Sequence, residues 1–534
     1  MRELLKNEIS ASLEKLGIKN NIDIIIEIPA DKKNGDYSSN IALKLTKDLK
    51  LNPHDIALKI KENIINENID KIDIAGPGFL NFYLKKDYLF QNINDVLREK
   101  DNYGSSNIGN GKKINLEYVS ANPTGFLHIG HARGASYGDS LSRILKFAGF
   151  DVTREYYIND AGNQINNLEK SIIVRYHNLC GIEEELPENG YHGKDIIEVA
   201  KNIYNEYNDN APIEIFRKKG VEFLLSKIKS DLKKFRVDFD MWSSETDLYK
   251  SGAVDNTLNK LKSSGNTYIN DNALFLKTTL YGDEKDRVLV KSDDNNTYLL
   301  PDIAYHMNKY SRGYDRLIDV FGADHHGYIN RLKAAIKILG ENPDRLDIKI
   351  LQMVRLIKNN EEIKMSKRTG KTLTLDELVE EVGVDAARYF FSMRSLDTQL
   401  DFDLELASSK SNENPVYYVG YAHARIKSIL RDYSKKINPI DKYETIESEY
   451  AINLLNKIYE FKNTVINSAL KEAPHIITNY VYELANLFHT FYAHEKVLTN
   501  DEKYTRERIN LITATAITIK NACNLIGVEA PEKM

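Results

Sequence analysis

Two cysteines in 534 residues are too few for a disulfide framework or a zinc cluster. Cys180 and Cys523 therefore read as packing residues, and a chain so poor in cysteine is expected in a reducing compartment, the cytoplasm. No stretch comes near the ~20 consecutive apolar residues of a membrane span, so no membrane partner is expected. The opening Met1-Arg2-Glu3-Leu4-Leu5-Lys6 contains an acid and starts an amphipathic helix, unlike a signal peptide. Positive charge is not in excess either, since the formal net charge is −5. A polyanionic partner would have to use local basic patches. Arg217-Lys218-Lys219, Lys233-Lys234-Arg236 and the series Arg425, Lys427, Arg431, Lys435, Lys436 are candidates, though each such patch is more often a solvated face than a nucleic-acid site. Tryptophan occurs once, at Trp242, and is expected in a core. What the chain does have is 42% hydrophobic and 28% charged residues, the balance of a globular protein. Its length calls for roughly three domains.

The most informative stretch lies at 114–134. A β-prone run at 114–119 enters a turn marked by Asn122, Pro123 and Gly125, and a helical pattern leaves it near Gly130. Strand, tight turn and helix place a helix N-terminus at the carboxyl end of a strand, where open α/β sheets bind ligands. His128 and His131 share a helical face. Two imidazoles and a helix N-terminus together can grip a phosphate. Gly130 between them has no Cβ, so a flat ring can lie against the backbone. Alone, His-x-x-His is as often an incidental pair in such a connection. A second segment, Lys364-Met365-Ser366-Lys367-Arg368 with Thr369, Gly370 and Lys371, follows a strand-like run at 348–357 and a polar turn. Four cations in eight residues ordinarily make a solvated loop.

Together, about 230 residues apart, the two segments resemble the signature sequences of class I aminoacyl-tRNA synthetases. Ser120-Ala121-Asn122-Pro123-Thr124-Gly125 and the residues 127–134 are similar to the arginyl-tRNA synthetase form of the first signature. Asn34-Gly35-Asp36-Tyr37-Ser38-Ser39-Asn40, Ala75-Gly76-Pro77-Gly78-Phe79-Leu80-Asn81 and the closing Gly527-Val528-Glu529-Ala530-Pro531-Glu532-Lys533-Met534 also resemble that family. One departure is Phe126, where the family usually has proline. It removes a rigid φ constraint but no chemical group, so changed packing rather than lost activity is expected.

The resemblance implies a multidomain α/β fold. It has a Rossmann-type parallel-sheet catalytic core with an insertion, a small α/β N-terminal domain and an all-α helical-bundle C-terminal domain. The boundaries expected are 1–110, 111–395 with the insertion at about 180–297, and 396–534. The residues agree with that plan. Helical stretches at 2–16 and 42–64 alternate with strand-like runs at 22–28 and 81–84, and 103–113 reads as a linker. Strands are expected at 114–119, 152–158, 316–321 and 348–357, and helices at 130–148, 327–339 and 376–393, the last capped by Thr374. From Asn414 apolar residues recur at helical spacing, as in a bundle. A chain cut near residue 410 is therefore expected to keep a folded nucleotide site.

The resemblance also implies the activity, arginine–tRNA ligation. Arginine and ATP give arginyl-adenylate and pyrophosphate, and tRNA(Arg), bound before activation, then takes the arginyl group. Attack at the α-phosphate builds negative charge, so preorganised donors and cations lower the barrier. The family assignment gives His128, His131, Lys364 and Lys367 to catalysis, and Gly130, Asp324 and Ser366 with them to ATP. A cationic fork such as arginine's is best met by buried carboxylates. Glu117 and Asp302 are the candidates, although a strand-end acid and a helix cap are the plainer readings of them. By resemblance, Tyr298 joins that pocket, Ser120 and Asn122 hold the amino and carboxylate ends, and His131 and His325 lie beside them. His325-His326 has no evident third ligand, so no protein-bound metal is expected, and Mg²⁺ enters with ATP. Tyr417, Tyr418, Tyr421 and Arg425 are assigned to the tRNA anticodon loop. A monomer is expected. A different class I synthetase, a nucleotidyltransferase with the same histidine pair, and an inactive RNA-binding paralogue are the alternatives. The helical tail argues against the second, and the presence of His131 and Lys367 against the third.

Overall fold

The β-prone run of the first signature becomes the middle strand of a sheet. In the computed structural model, which describes residues 2–18, 23–27, 29, 31–359, 361–363 and 373–534, Lys113–Glu117 pairs in parallel with Asp151–Ile158 and Arg316–Gly322. Met241–Ser244 and Leu346–Leu351 add parallel edges to give five strands. Burial along Lys113–Glu117 is continuous after its first residue, as a parallel strand covered on both faces requires. The strands run 5-4-1-2-3 in chain order, so connections diverge beyond the middle strand and a crevice opens at its carboxyl end. The Ile129–Phe147 helix packs close to the chain above it, and a Cβ at Gly138 would come within 2.1 Å of the Tyr118 ring.

Several expected elements divide. The run 348–357 is two strands in two sheets. Leu346–Leu351 closes the central sheet, while Val354–Lys358 pairs with Leu400–Asp403. Arg133 holds the break. Its buried guanidinium donates to the carbonyls of Gln352 (2.9 Å), Met353 (3.5 Å), Ser395 (2.8 Å) and Thr398 (2.7 Å). The helix expected at 376–393 is Leu375–Val382 and Val384–Ser392, parted at Gly383 with φ 80°. Thr374 does cap it, in a reciprocal box with Glu377. The stretch 42–64 likewise becomes Ile41–Leu49 and Pro53–Asn63, because Asn52 caps a new start and proline suits its first position.

The polar segment 180–297 is more regular than its sequence suggests. Lys194–Tyr207 and Ile213–Lys234 pack with Gly162–Leu179 into a helical lobe around Ile165, Leu168, Ile172 and Leu224. Thr267–Asn270, Ala273–Leu276 and Arg287–Val290 form a small antiparallel sheet. Trp242, on the edge strand, is half-buried rather than core and stacks on Tyr156 at 4.5 Å. In the N-terminal part, Tyr37–Ser39, Phe79–Leu84 and Ile69–Ala75 make an antiparallel sheet flanked by helices. The described part of 22–28 joins it through a bridge from Glu27 to Ser38 and through the Ser39 hydroxyl, which donates to the Ile25 carbonyl (2.8 Å). After Asn414 come the helices Pro415–Tyr433, Glu449–Lys471, His475–His494 and Glu502–Leu525. Two compact units result. One comprises Met1–Lys100, Lys435–Tyr459 and Phe491–Ala514, the other Asp101–Ser434, Glu460–Thr490 and Thr515–Met534, so the helical tail contributes to both.

Candidate active site

The first signature folds into a helix start that its own histidines cap. His128 Nδ1 accepts from the Gly130 amide (3.1 Å), and the His128 amide donates to His131 Nδ1 (3.2 Å). The two rings stack with centroids 3.8 Å apart. Because both Nδ1 atoms accept, each ring is the tautomer with its proton on Nε2. Both are thus neutral donors at a helix N-terminus, an arrangement suited to phosphate oxygens. They face one large cavity of about 1740 Å³ within the second unit. Glu117, Ser120, Asn122, Gly130, Tyr298 and Asp302 line the same cavity, so the structure gathers most of the sequence-predicted ligands in one place.

Between the strand and the helix the backbone is strained, with Val119 at φ 69° and Ser120 at φ 38°. Left-handed φ is rare for any side chain and an outlier for a β-branched one. The turn aims the Ser120 hydroxyl, which donates to Glu117 Oε1 (2.9 Å) and accepts from the Tyr157 amide (3.0 Å). Glu117 differs from expectation. It lines the cavity, but its carboxylate already accepts from the Lys309 ammonium and the Tyr305 hydroxyl (2.9 Å). Burial pushes its carboxyl up and Lys309 pulls it back. Its charge is thus committed within the protein.

The carboxyl that remains available is one the sequence did not single out. Glu245 starts a short helix after the edge strand, is buried, and lines the cavity. Burial first, then the nearby Asp302 and Asp160 carboxylates, push it up to about 7. Among the described residues no cation offsets it. The Asn159 amide, in the orientation its neighbours favour, donates to Glu245 Oε2 at 2.8 Å. Asp302 accepts from the Tyr328 hydroxyl. Tyr298 is 54% exposed over this end, and the Asn122 amide donates to Gln164 (2.6 Å) on the lobe. Glu245 was invisible in sequence because Ser-Glu-Thr-Asp reads as an ordinary helix start.

Lys364, Ser366 and Lys367 lie outside the described residues. Directly after them Thr374 pairs with His128, and the Leu375 amide donates to the Leu127 carbonyl (2.8 Å), so the chain returns to the first signature there. Asp324 and His325 stand in the short turn Ala323–Tyr328 after the Arg316–Gly322 strand, and their side chains lie outside the described part. Among the described residues no three His, Cys, Asp or Glu side chains come together around a metal site. No described helix is long and apolar enough to cross a membrane. In the Pro415–Tyr433 helix, Tyr417 and Tyr421 stack (6.3 Å) and the Arg425 guanidinium lies 5.0 Å over Tyr421. Tyr418 instead packs against His489 (4.5 Å) and donates to Asn486 (3.0 Å).

Family models match three stretches of the chain. They are the arginyl tRNA synthetase N terminal domain at 3–84, the catalytic domain of tRNA synthetases class I (R) at 92–400, and the DALR anticodon binding domain at 419–534. Arginine–tRNA ligase 1 of Halalkalibacterium halodurans is 51% identical, across 100% of this chain and 99% of that one. The arginine–tRNA ligase of Bacillus subtilis is 50% identical with the same coverage. The solved arginyl-tRNA synthetase of Thermus thermophilus superposes with a TM-score of 0.80 over 100% of both chains, and at 21% identity that is a likeness of fold alone.

Proposed function

We infer the workings of this cavity from one premise: the chain belongs to the arginyl-tRNA synthetase family and is a class I arginine–tRNA ligase. The carboxylate of L-arginine attacks the α-phosphorus of ATP and pyrophosphate leaves. The terminal ribose of tRNA(Arg) then takes the arginyl group and AMP is released. No base is needed for the first step, because the carboxylate is already ionised at neutral pH. His128 and His131 donate Nε2–H to the α-phosphate region, where charge builds in the transition state. Gly130 leaves room for the flat nucleoside, Asp324 takes its ribose, and Lys364, Ser366 and Lys367 answer the β and γ phosphates. Mg²⁺ arrives with ATP, held by phosphate oxygens and water.

The guanidinium goes to Glu245 and Asp302 beneath Tyr298. Glu117 serves the substrate through Ser120, which with Asn122, His131 and His325 holds the α-amino and carboxylate ends. Residues 1–110 and 396–534 serve the tRNA, with Tyr417, Tyr421 and Arg425 at the anticodon loop and Tyr418 behind them. We take the working form as a cytoplasmic monomer that binds tRNA before activation.

One observation carries the reading. A buried carboxyl raised to about 7, with no described cation beside it, shares a cavity with a helix N-terminus capped by two neutral histidines. The first asks for a cation and the second for a phosphate. The test is charging of total tRNA with each amino acid, together with pyrophosphate exchange. Arginine alone should be charged, and His131→Ala should slow adenylate formation about 100-fold, the usual loss for one transition-state donor. The thermal midpoint should fall only by what the loss of one helix-cap hydrogen bond, about 1 kcal/mol, accounts for. Near-normal exchange by His131→Ala would sink the assignment.

A further inference from the structure

Under the amino-acid end of the cavity, the Leu299–Ser311 helix turns two buried cations toward two strands. His306 Nδ1 lies 2.7 Å from the backbone oxygen of Asp302, and its Nε2 lies 2.8 Å from Asp319 Oδ2. Both partners are oxygens that only accept. A neutral imidazole has one N–H, so it would leave one contact with two lone pairs face to face. Imidazolium satisfies both. Next to it Lys309 donates to Asp319 Oδ1 (2.7 Å) and to Glu117, whose Oε2 also takes the Tyr305 hydroxyl. Two cations thus meet two carboxylates in a layer that is charge-balanced only while His306 keeps its proton.

We propose that His306 is a positioning residue that works as an imidazolium: by tying the Asp302 carbonyl to Asp319 it fixes the helix that presents Asp302 to the amino-acid substrate. The proposal rests on the arginine reading of the cavity. Among the described residues, the charged group touching His306 is Asp319 on the Arg316–Gly322 strand, with Lys309 next on its own helix and, beyond Lys309, Glu117 on the middle strand and Glu155 on Asp151–Ile158; Asp302 meets the ring through its backbone carbonyl, and the titratable Tyr305 ring lies 5.5 Å away. Burial opposes the His306 charge, and the hydrogen bond and charge of Asp319 outweigh it, so the proton is held above the ordinary histidine range. The sign follows for a cation with a raised value. The tie is complete at low pH and is lost as pH rises through that value.

Nitrogen-15 labelling of the histidines in the full chain tests this directly, with the His306 signals assigned by their loss in His306→Gln. Both ring nitrogens should be protonated near neutral pH, and a neutral tautomer there overturns the proposal without any variant having to fold. His306→Gln keeps one donor and removes the charge. Its KM for arginine should rise about tenfold, the scale of one charged hydrogen bond, with KM for ATP within about twofold. In the native protein kcat/KM for arginine should fall on the alkaline side, and that fall should vanish in the variant. An unchanged KM for arginine, or an equal rise in both constants, overturns the positioning role. Failure of the arginine reading looks different, because the native protein would then charge no arginine whatever the state of the ring.

Discussion

At the scale of single residues, charge supply decides what each carboxyl can do. Glu117 and Glu245 both line the cavity, yet Lys309 has satisfied the first and no described cation answers the second. Glu245 should therefore govern arginine binding on the acid side. With its value at about 7, ionisation rises about tenfold between pH 6 and pH 8, and KM for arginine should fall by roughly the same factor. Glu245→Gln should flatten that limb and leave KM high. A native KM that does not vary with pH there would remove Glu245 from the pocket. The same shift has a stability sign. A carboxyl raised in the folded state stabilises below its ordinary value of 4.5, and that contribution is lost as pH rises through about 7. Strain is the other residue-scale quantity. Left-handed conformations of this kind cost about 1–3 kcal/mol each, and Val119 has the less tolerant side chain. Val119→Asn, which accepts left-handed φ more readily, should raise the denaturation midpoint while slowing adenylate formation if the valine seats the turn. A lowered midpoint would show that no strain was stored there. The histidine pair was legible in sequence because its spacing fixes its geometry. The partners of Glu117 were not, since Lys309 lies 192 positions away and meets it only through the sheet.

At the scale of elements, the period of the apolar pattern was read well and its interruptions poorly. Three of the parallel strands and the Ile129–Phe147 helix stand close to where the sequence puts them, while the edge strand Met241–Ser244 lies unannounced inside the segment expected to be an insertion. The breaks at 352–353 and at Gly383 went unseen for two different reasons. Arg133 reaches carbonyls about 220 to 265 positions away to set the first. Gly383 takes φ 80°, which one glycine inside a helical pattern does not announce. Gly138 shows how tightly these elements are set. The Ile129–Phe147 helix lies directly on Tyr118, and an added Cβ would sit 2.1–2.6 Å from three ring atoms. Overpacking of this kind costs about 1–3 kcal/mol. Gly138→Ala should lower the thermal midpoint and, because the helix begins at the histidine pair, slow adenylate formation as well. A variant with both properties intact would mean that Tyr118 swings away freely.

At the scale of the whole molecule, the sequence reads as three segments in line, whereas the structure forms two compact units that both draw on the tail. Amphipathic helices after Asn414 read as a detachable bundle, because hydrophobic spacing says which face is buried and not what buries it. In the structure the tail covers polar groups of the catalytic unit. Arg388, fully buried, donates to the Ile526 carbonyl (3.0 Å) and to Asp139 (2.5 Å), while Tyr389 donates to Thr478 (2.9 Å) and Tyr137 to Glu472 (2.9 Å). Asn94 in the other unit likewise loses Ile440 and Tyr443 without the tail. A chain cut near residue 410 should therefore aggregate rather than retain a working nucleotide site, contrary to the expectation from sequence. Sedimentation and circular dichroism of the cut chain check this. The role of the tail in RNA binding then needs point changes on its surface. Tyr421 and Arg425 form a half-buried stack on the Pro415–Tyr433 helix. If unstacked loop bases lie on Tyr421, Tyr421→Ala should weaken tRNA binding by about 1–3 kcal/mol with little change in salt dependence. Arg425→Ala, if it meets a phosphate, should weaken binding and lower the log–log salt slope by about 1. Pyrophosphate exchange at saturating tRNA should stay normal in both. Titration of each variant with tRNA at several salt concentrations separates the two effects, and native affinity in both would reduce the stack to packing of the bundle.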